Sequence, residues 1–194
     1  MVTMLNFNWG SCTYLMGVLN VTPDSFSDGG EFNQPASALN QAVALTEKGA
    51  DIIDVGGQST RPGAEQISVE EELERVLSVI EVIRPKIDIP ISVDTTRATV
   101  AKRAINAGAD IVNDISGGTF DSSMFSTVAS LNVPIVLMHI RRTPQTMQQM
   151  TDYQDVVAEI FNFLSQQITA AITAGIEREK IIIDPGIGFA KNLE

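Results

Sequence analysis

The sequence predicts an α/β fold of the (β/α)-barrel type, and three observations carry that prediction. Short apolar runs of strand length alternate along the chain with longer amphipathic segments, which implies parallel strands joined by right-handed helical crossovers. The strand-length runs lead to polar residues at their ends, Asn20, Asp54, Asp94, Asn113, His139 and Asp184. A unit of helix, glycine, strand and polar tip also repeats: Gly49-Ala50-Asp51-Ile52-Ile53-Asp54 is echoed by Gly108-Ala109-Asp110-Ile111-Val112-Asn113. A doubly wound open sheet gathers its ligand at one switch point and usually carries a phosphate loop after its first strand. No Walker-type loop is present, and Gly186-Ile187-Gly188 is only a fragment of a dinucleotide fingerprint. Polar residues on every strand tip fit a barrel instead, because a barrel collects its active site from all the strand ends.

Taken in order, residues 14–19 read as a strand buried on both faces, which stops at Asn20 and opens into a polar loop with Phe26 as its only aromatic. Thr22-Pro23-Asp24 starts a turn there, and Gly29-Gly30 gives its far end freedom. Residues 35–48 read as helix: Pro35 suits the first turn, Ala38, Leu39, Ala42, Val43 and Leu45 form the apolar side, and Gly49 ends it. The second strand, 51–55, runs into Gly56-Gly57-Gln58-Ser59-Thr60-Arg61-Pro62-Gly63. The next helix has the clearest signals. Ser68 and Glu71 have capping-box spacing, and Val69, Leu73, Val76, Leu77, Ile80 and Ile83 recur at helical intervals until Arg84-Pro85. Strands follow at 89–93, 110–115, 133–138 and 180–183. Between them lie helices at 98–107, from a cap at Asp121 or Ser122 towards Leu131, and at 153–174.

Composition bounds the function. The 194 residues are 44% apolar, 19% charged and only 6% aromatic, which suits helices packed on a buried parallel sheet. A net charge of −11 without any basic stripe argues against a nucleic-acid partner. A single cysteine, Cys12, excludes an intramolecular disulfide framework and a cysteine-based zinc site, and a single histidine, His139, excludes a histidine-rich metal cluster. No apolar run approaches the ~20 residues that span a membrane. With no secretory signal evident, a cytoplasmic, reducing location is expected. A closed barrel takes eight strands and roughly 250 residues. The chain is therefore expected to form one domain, 1–194, incomplete at its C-terminus.

The opening stretch Leu15-Met16-Gly17-Val18-Leu19-Asn20-Val21-Thr22-Pro23-Asp24-Ser25-Phe26-Ser27-Asp28-Gly29-Gly30 is one of a set of motifs. The others are the loop from Asp54 to Gly63, Ser92-Val93-Asp94-Thr95, Asn113-Asp114-Ile115-Ser116-Gly117-Gly118, Met138-His139, Thr143-Pro144-Gln145-Thr146-Met147-Gln148 and Asp184-Pro185-Gly186-Ile187-Gly188-Phe189. In order and spacing they resemble dihydropteroate synthase. The resemblance implies a TIM (β/α)8 barrel and a transferase step of folate biosynthesis. In that step p-aminobenzoate condenses with 6-hydroxymethyl-7,8-dihydropterin pyrophosphate and pyrophosphate leaves; sulfonamides imitate the p-aminobenzoate. It also implies small-molecule substrates, no nucleic-acid or membrane partner, and homodimers among full-length members.

The resemblance assigns roles residue by residue. Asp184 would accept the parallel donors of the pterin 2-amino group and ring N–H, as a carboxylate does in bidentate fashion. Asp94 and Asn113 would meet other ring heteroatoms, and Met138 would pack beneath the ring. Phe26, Thr60, Arg61 and Pro62 would form the p-aminobenzoate pocket, Thr60 and Arg61 lying nearest to the chemistry. Asn20 would offer its amide oxygen to Mg2+, an ion that keeps several waters and takes few protein ligands. Asp54 reads equally well as a strand-end partner or a ligand. His139 and Arg141 receive no role.

The chain also departs from the family pattern. Gln58 stands where bacterial relatives often have Glu, and Arg142 and Ala190 stand where glycine is common. The family's later lysine, and the Arg-x-His pair that holds pyrophosphate, are not among these residues, so the 194-residue chain alone is expected to have little or no synthase activity. Two alternatives remain. A methyltetrahydrofolate:corrinoid methyltransferase would share the pterin-binding residues but would not need the two intact loops after the first and second strands. A non-catalytic pterin-binding remnant would account for the residues that are missing.

Overall fold

A computed structural model describes residues 5, 7–21, 34–61 and 63–192. Six strands, β1 (Met16–Asn20), β2 (Ile52–Gly56), β3 (Ile91–Asp94), β4 (Ile111–Asp114), β5 (Ile135–Met138) and β6 (Ile181–Asp184), alternate with five helices. The helices are α1 (Gln34–Glu47), α2 (Val69–Ile83), α3 (Ala98–Asn106), α4 (Met124–Leu131) and α5 (Val156–Thr173). Every strand pair is parallel, and the strands stand side by side in sequence order. This is the order of successive barrel staves, as the alternating pattern predicts.

The period of two along each strand divides the sheet into two faces. On the outer face Ile53, Val55, Ile91, Val93, Val112, Ile135 and Leu137 pack against Val76, Val79, Ile80 and Ile83 of α2, Ala101 and Ala104 of α3 and Val128 of α4. The inner face carries Ile52, Ile111, Val136 and Ile182, with Leu5 and Phe7 packed against them at the amino ends of the strands. Phe7, Trp9 and Tyr14 stack there in an aromatic cluster, with centroids 4.4–5.6 Å apart. Two residues further along, the same inner face carries Asp54, Asn113 and Asp184, with Met138 at that level on β5.

Helix starts follow side-chain chemistry. The Ser68 hydroxyl accepts the Glu71 N–H at 3.1 Å, but the Glu71 carboxylate pairs with Arg75 instead of returning to Ser68, so only half of the expected capping box forms. Asp155 caps α5 by accepting from Ala158 N–H at 2.9 Å. Asp121 does not cap α4 directly; its carboxylate accepts from Ser123 N–H at 2.9 Å and Ala98 N–H at 2.8 Å, tying the starts of α3 and α4 together.

One expectation is corrected. β1 is not buried on both faces: Leu19 is fully buried, yet Val18 is 55% exposed. The reason is topological. Among the described residues β1 and β6 are the two edges of the sheet, so the inner side of β1 has nothing opposite it. The other edge behaves alike, with Ile183 of β6 and Val157 and Phe161 of α5 exposed. Parallel edges and exposed apolar side chains therefore lie at β1 and β6.

Candidate active site

A cavity of about 440 Å³ opens at the carboxyl ends of the strands. Gln58, Ser59 and Thr60 line it from the loop after β2, Asp94 and Thr95 from the end of β3, and Thr143, Pro144 and Gln145 from the loop after β5. Gln58 shapes its own loop. Its amide nitrogen donates to Ser59 O and Glu65 O, and its amide oxygen accepts from Ile67 N–H, each at 2.9 Å.

The strand ends beside the cavity are rich in acceptors. Asp94 neighbours Gly56 on one side and Asn113 on the other in the strand register. A Cβ at Gly56 would stand 3.4 Å from the Asp94 carboxylate, so the glycine leaves that carboxylate its space. Burial, and then the negative charges of Asp54, Glu72 and Asp114, hold the Asp94 carboxyl well above the ordinary aspartate range. Burial likewise raises Asp54, with the hydrogen bond from Asn113 opposing the shift. Asn113 Nδ2 donates to Asp54 Oδ2 at 3.0 Å. An ionised carboxylate only accepts, so this bond sets the amide with its nitrogen on Asp54 and its oxygen available. Asp54 is thus a strand-end partner that orients Asn113. Its Oδ1 and the Ser92 hydroxyl are buried without a hydrogen-bond partner. The strand ends thus present carboxyl, amide and hydroxyl groups whose hydrogen-bonding capacity the chain itself does not use up.

The remaining residues singled out from the sequence fall as follows. Thr60 lines the cavity, whereas the Arg61 side chain is exposed. Met138 is buried and pairs in register with Asp184, whose Oδ1 accepts from Gly186 N–H at 2.7 Å. Asn113, Met138 and Asp184 share the carboxyl-end rim without lining this cavity. Asn20 ends β1 opposite Gly56. Phe26 and Pro62 lie outside the described residues.

His139 and Arg141 acquire roles. Burial, aided by the nearby cations Lys191 and Arg141, pulls the His139 imidazole down to about 4, so it is neutral at pH 7. Its Nδ1 faces Lys191 Nζ at 3.0 Å and its ring meets Phe163 edge-on, centroids 5.0 Å apart. Arg141 stacks 3.6 Å above the Tyr153 ring, donates to Met150 O and Asp152 O, and pairs with Glu159. It folds the loop after β5 onto the start of α5.

Several site-supporting residues were not singled out from the sequence. Glu72 is buried in α2, where it accepts from Thr95 Oγ1 at 2.6 Å and pairs with Arg97 at 2.7 Å. Arg97 also donates to Ser68 O at 2.9 Å and Ile67 O at 2.6 Å, pinning the far end of the loop that carries Thr60. Asp114 accepts from Ser116 N–H, Ser116 Oγ and Gly118 N–H, and burial lifts its carboxyl to about 6. One signal for Glu72 was available: it lies four residues before Val76, on the buried stripe of α2.

Among the described residues no group of three or more His, Cys, Asp or Glu side chains is arranged to hold a metal. Asn20 offers a single hard oxygen at the strand end. Such a donor set suits an ion that completes its shell from water and ligand oxygens, and does not suit an all-protein cage.

Successive βα units with polar side chains gathered at their carboxyl ends are the arrangement of a barrel-type binding site. Residues 16–194 match the family described as pterin binding enzyme, and the chain belongs to that family. The similar proteins include several dihydropteroate synthases. The chain is 57% identical to the dihydropteroate synthase of Synechocystis sp. over 188 residues, covering 97% of this chain and 65% of that protein. Among solved structures it resembles Xanthomonas albilineans dihydropteroate synthase with 4-aminobenzoic acid (44% identity, TM-score 0.87, covering 94% of this chain and 64% of that one). It also resembles the Clostridium difficile enzyme in the presence of pteroic acid (43% identity, TM-score 0.89, covering 96% and 68%). The chain thus spans about two thirds of the length of these relatives.

Proposed function

We propose that this chain carries the pterin- and p-aminobenzoate-binding part of a dihydropteroate synthase, a cytoplasmic enzyme of folate biosynthesis. The reaction joins the arylamine of p-aminobenzoate to the methylene carbon of 6-hydroxymethyl-7,8-dihydropterin pyrophosphate, with pyrophosphate as the leaving group. The observation that carries this reading is the group of polar side chains at the strand ends, with Asp94 beside Asn113 in register and Asn113 bonded to the buried Asp54. The pterin edge, with its 2-amino group and adjacent ring N–H, is the complementary set of donors.

In this reading Asp184 takes the paired pterin donors, Asp94 and Asn113 take the other heteroatoms, and Met138 supports the ring. The loop bearing Thr60, Arg61 and Pro62, together with Phe26, closes on p-aminobenzoate. Asn20 would hold Mg2+ through its amide oxygen, and the bound ion would offset the charge of the leaving pyrophosphate. The arylamine attacks as a neutral nucleophile, so no strong base is required. A neutral His139 whose Nδ1 faces Lys191 supports that economy.

Asp184→Asn tests the assignment. Replacing one carboxylate oxygen by a donor removes a charge-assisted bond of roughly 2 kcal/mol, about a 30-fold loss of pterin affinity. Titration of the 194-residue chain with 6-hydroxymethylpterin would read it, and an unchanged affinity removes Asp184 from the site.

A further inference from the structure

Lys191 stands seven residues beyond Asp184, and its ammonium is surrounded by acceptors. It donates to Phe189 O at 2.8 Å, Gly186 O at 3.0 Å and His139 Nδ1 at 3.0 Å, with His139 O further off at 3.4 Å. An ammonium has three protons, and three acceptors within 3.0 Å use them all. Two belong to the loop after β6 and one to the tip of β5. The backbone fastens the same two segments through His139 N–H, which donates to Asp184 O at 3.0 Å, and Phe189 N–H closes the loop on itself by donating to Gly186 O at 3.0 Å. Gly186 sits at φ 68°, and a Cβ there would collide with the carbonyl oxygen of His139. The loop therefore lies flat on the tip of β5, and the ammonium fills the ring of carbonyls that this close approach creates. At the centre of the loop, Gly186 N–H holds Asp184 Oδ1 at 2.7 Å.

We propose that Lys191 is a positioning residue that clamps the loop after β6 onto His139 and thereby fixes the direction of the Asp184 carboxylate. The consequence for ligand binding rests on the pterin reading above. His139 serves the clamp as a neutral acceptor. Burial and the cations Lys191 and Arg141 keep it so, with Glu159 the opposing charge nearby. Lys191, drawn down to about 8 by burial against the pull of Asp184, still carries its proton at pH 7.

The test compares the 194-residue chain with its Lys191→Met variant. Because His139 is the only histidine, its imidazole nitrogens give a single assignable NMR signal pair. Three quantities are measured: the His139 titration midpoint, the hydrogen-exchange rate of the Gly186 amide, and the affinity for 6-hydroxymethylpterin. The clamp predicts a midpoint that rises towards 6.5, a Gly186 amide that exchanges at least tenfold faster, and pterin affinity about tenfold weaker, with global unfolding little changed. Lys191→Arg, which keeps the charge and the donors, should recover part of the affinity. If Lys191→Met does not fold, Lys191→Gln, with two donors, carries the same measurements. A shifted His139 signal with Gly186 exchange and pterin affinity unchanged overturns the proposal, since Lys191 would then touch His139 without governing Asp184. If the unmodified chain binds no pterin, the functional reading fails, while the Gly186 and His139 readouts still decide the clamp.

Discussion

Arg97→Met should cost this protein about 3 kcal/mol at pH 7. The guanidinium makes three bonds, to Glu72 and to the carbonyls of Ile67 and Ser68, and the Glu72 side chain that it neutralises is 2% exposed. Without Arg97 the Glu72 carboxylate keeps only the Thr95 hydroxyl, in a site whose burial already raises it above 4.5. Stranding one member of a buried pair costs about 3–5 kcal/mol, and the part-exposed Arg97 site admits enough water to favour the lower end. With a urea dependence of about 2 kcal/mol/M, the unfolding midpoint should fall by about 1.5 M. The penalty should also depend on acidity in a fixed direction. The native variant binds a proton at Glu72 more tightly than the unfolded chain does, so its stability rises as pH falls from 7 towards 4.5 and the gap to the parent narrows. Adding Glu72→Gln to Arg97→Met should restore more than half of the loss. A drop below about 0.5 kcal/mol, or a double variant no better than the single, would refute the view that this pair is what holds the loop's far end.

Two further outcomes follow from backbone and burial. Arg142 and Ala190 keep the left-handed conformation, with φ 59° and 52°, at positions where a Cβ is disfavoured. Arg142→Gly should therefore stabilise the chain by about 1 kcal/mol in thermal unfolding, and Ala190→Gly by less, because its fully buried methyl is lost. Asp114, lifted to about 6, binds its proton more tightly folded than unfolded, so parent stability should fall by about 2 kcal/mol as pH rises from 4 to 6. Asp114→Asn should lack that slope in urea titrations at several pH values.

The alternation of elements and the polar strand tips were legible because both are local. Apolar period and cap chemistry placed every strand and helix within three residues of its observed limits. The inward row of Asp54, Asp94 and Asn113 followed from strand ends alone. Support from other elements was not legible. Glu72 looked like one more acidic residue in the first turn of α2, with Glu70 and Glu71, and only Arg97, 25 residues on, makes it a buried partner. Lys191 looked like a surface lysine until the loop after β6 curled its carbonyls around it. Arg142 and Ala190 carried a signal that pointed the other way. Glycine is common at both positions, yet both residues accept the strained φ. Exposure of β1 was missed because hydropathy reports what a strand can bury, not whether an opposite wall is there.

The strict sequence order of the sheet bears on how the protein is built. Among the described residues each strand bonds only to the one made just before it and the one made just after it. No stave of this sheet waits for a partner from a remote part of the chain, so loop-closure entropy is met in small, equal instalments. A chain emerging from the ribosome amino end first can lay down β2 on β1, then β3 on β2, with each new helix sealing the pair behind it. The growing edge is always the newest strand, and its unsatisfied N–H and C=O groups serve as the template for whatever strand comes next.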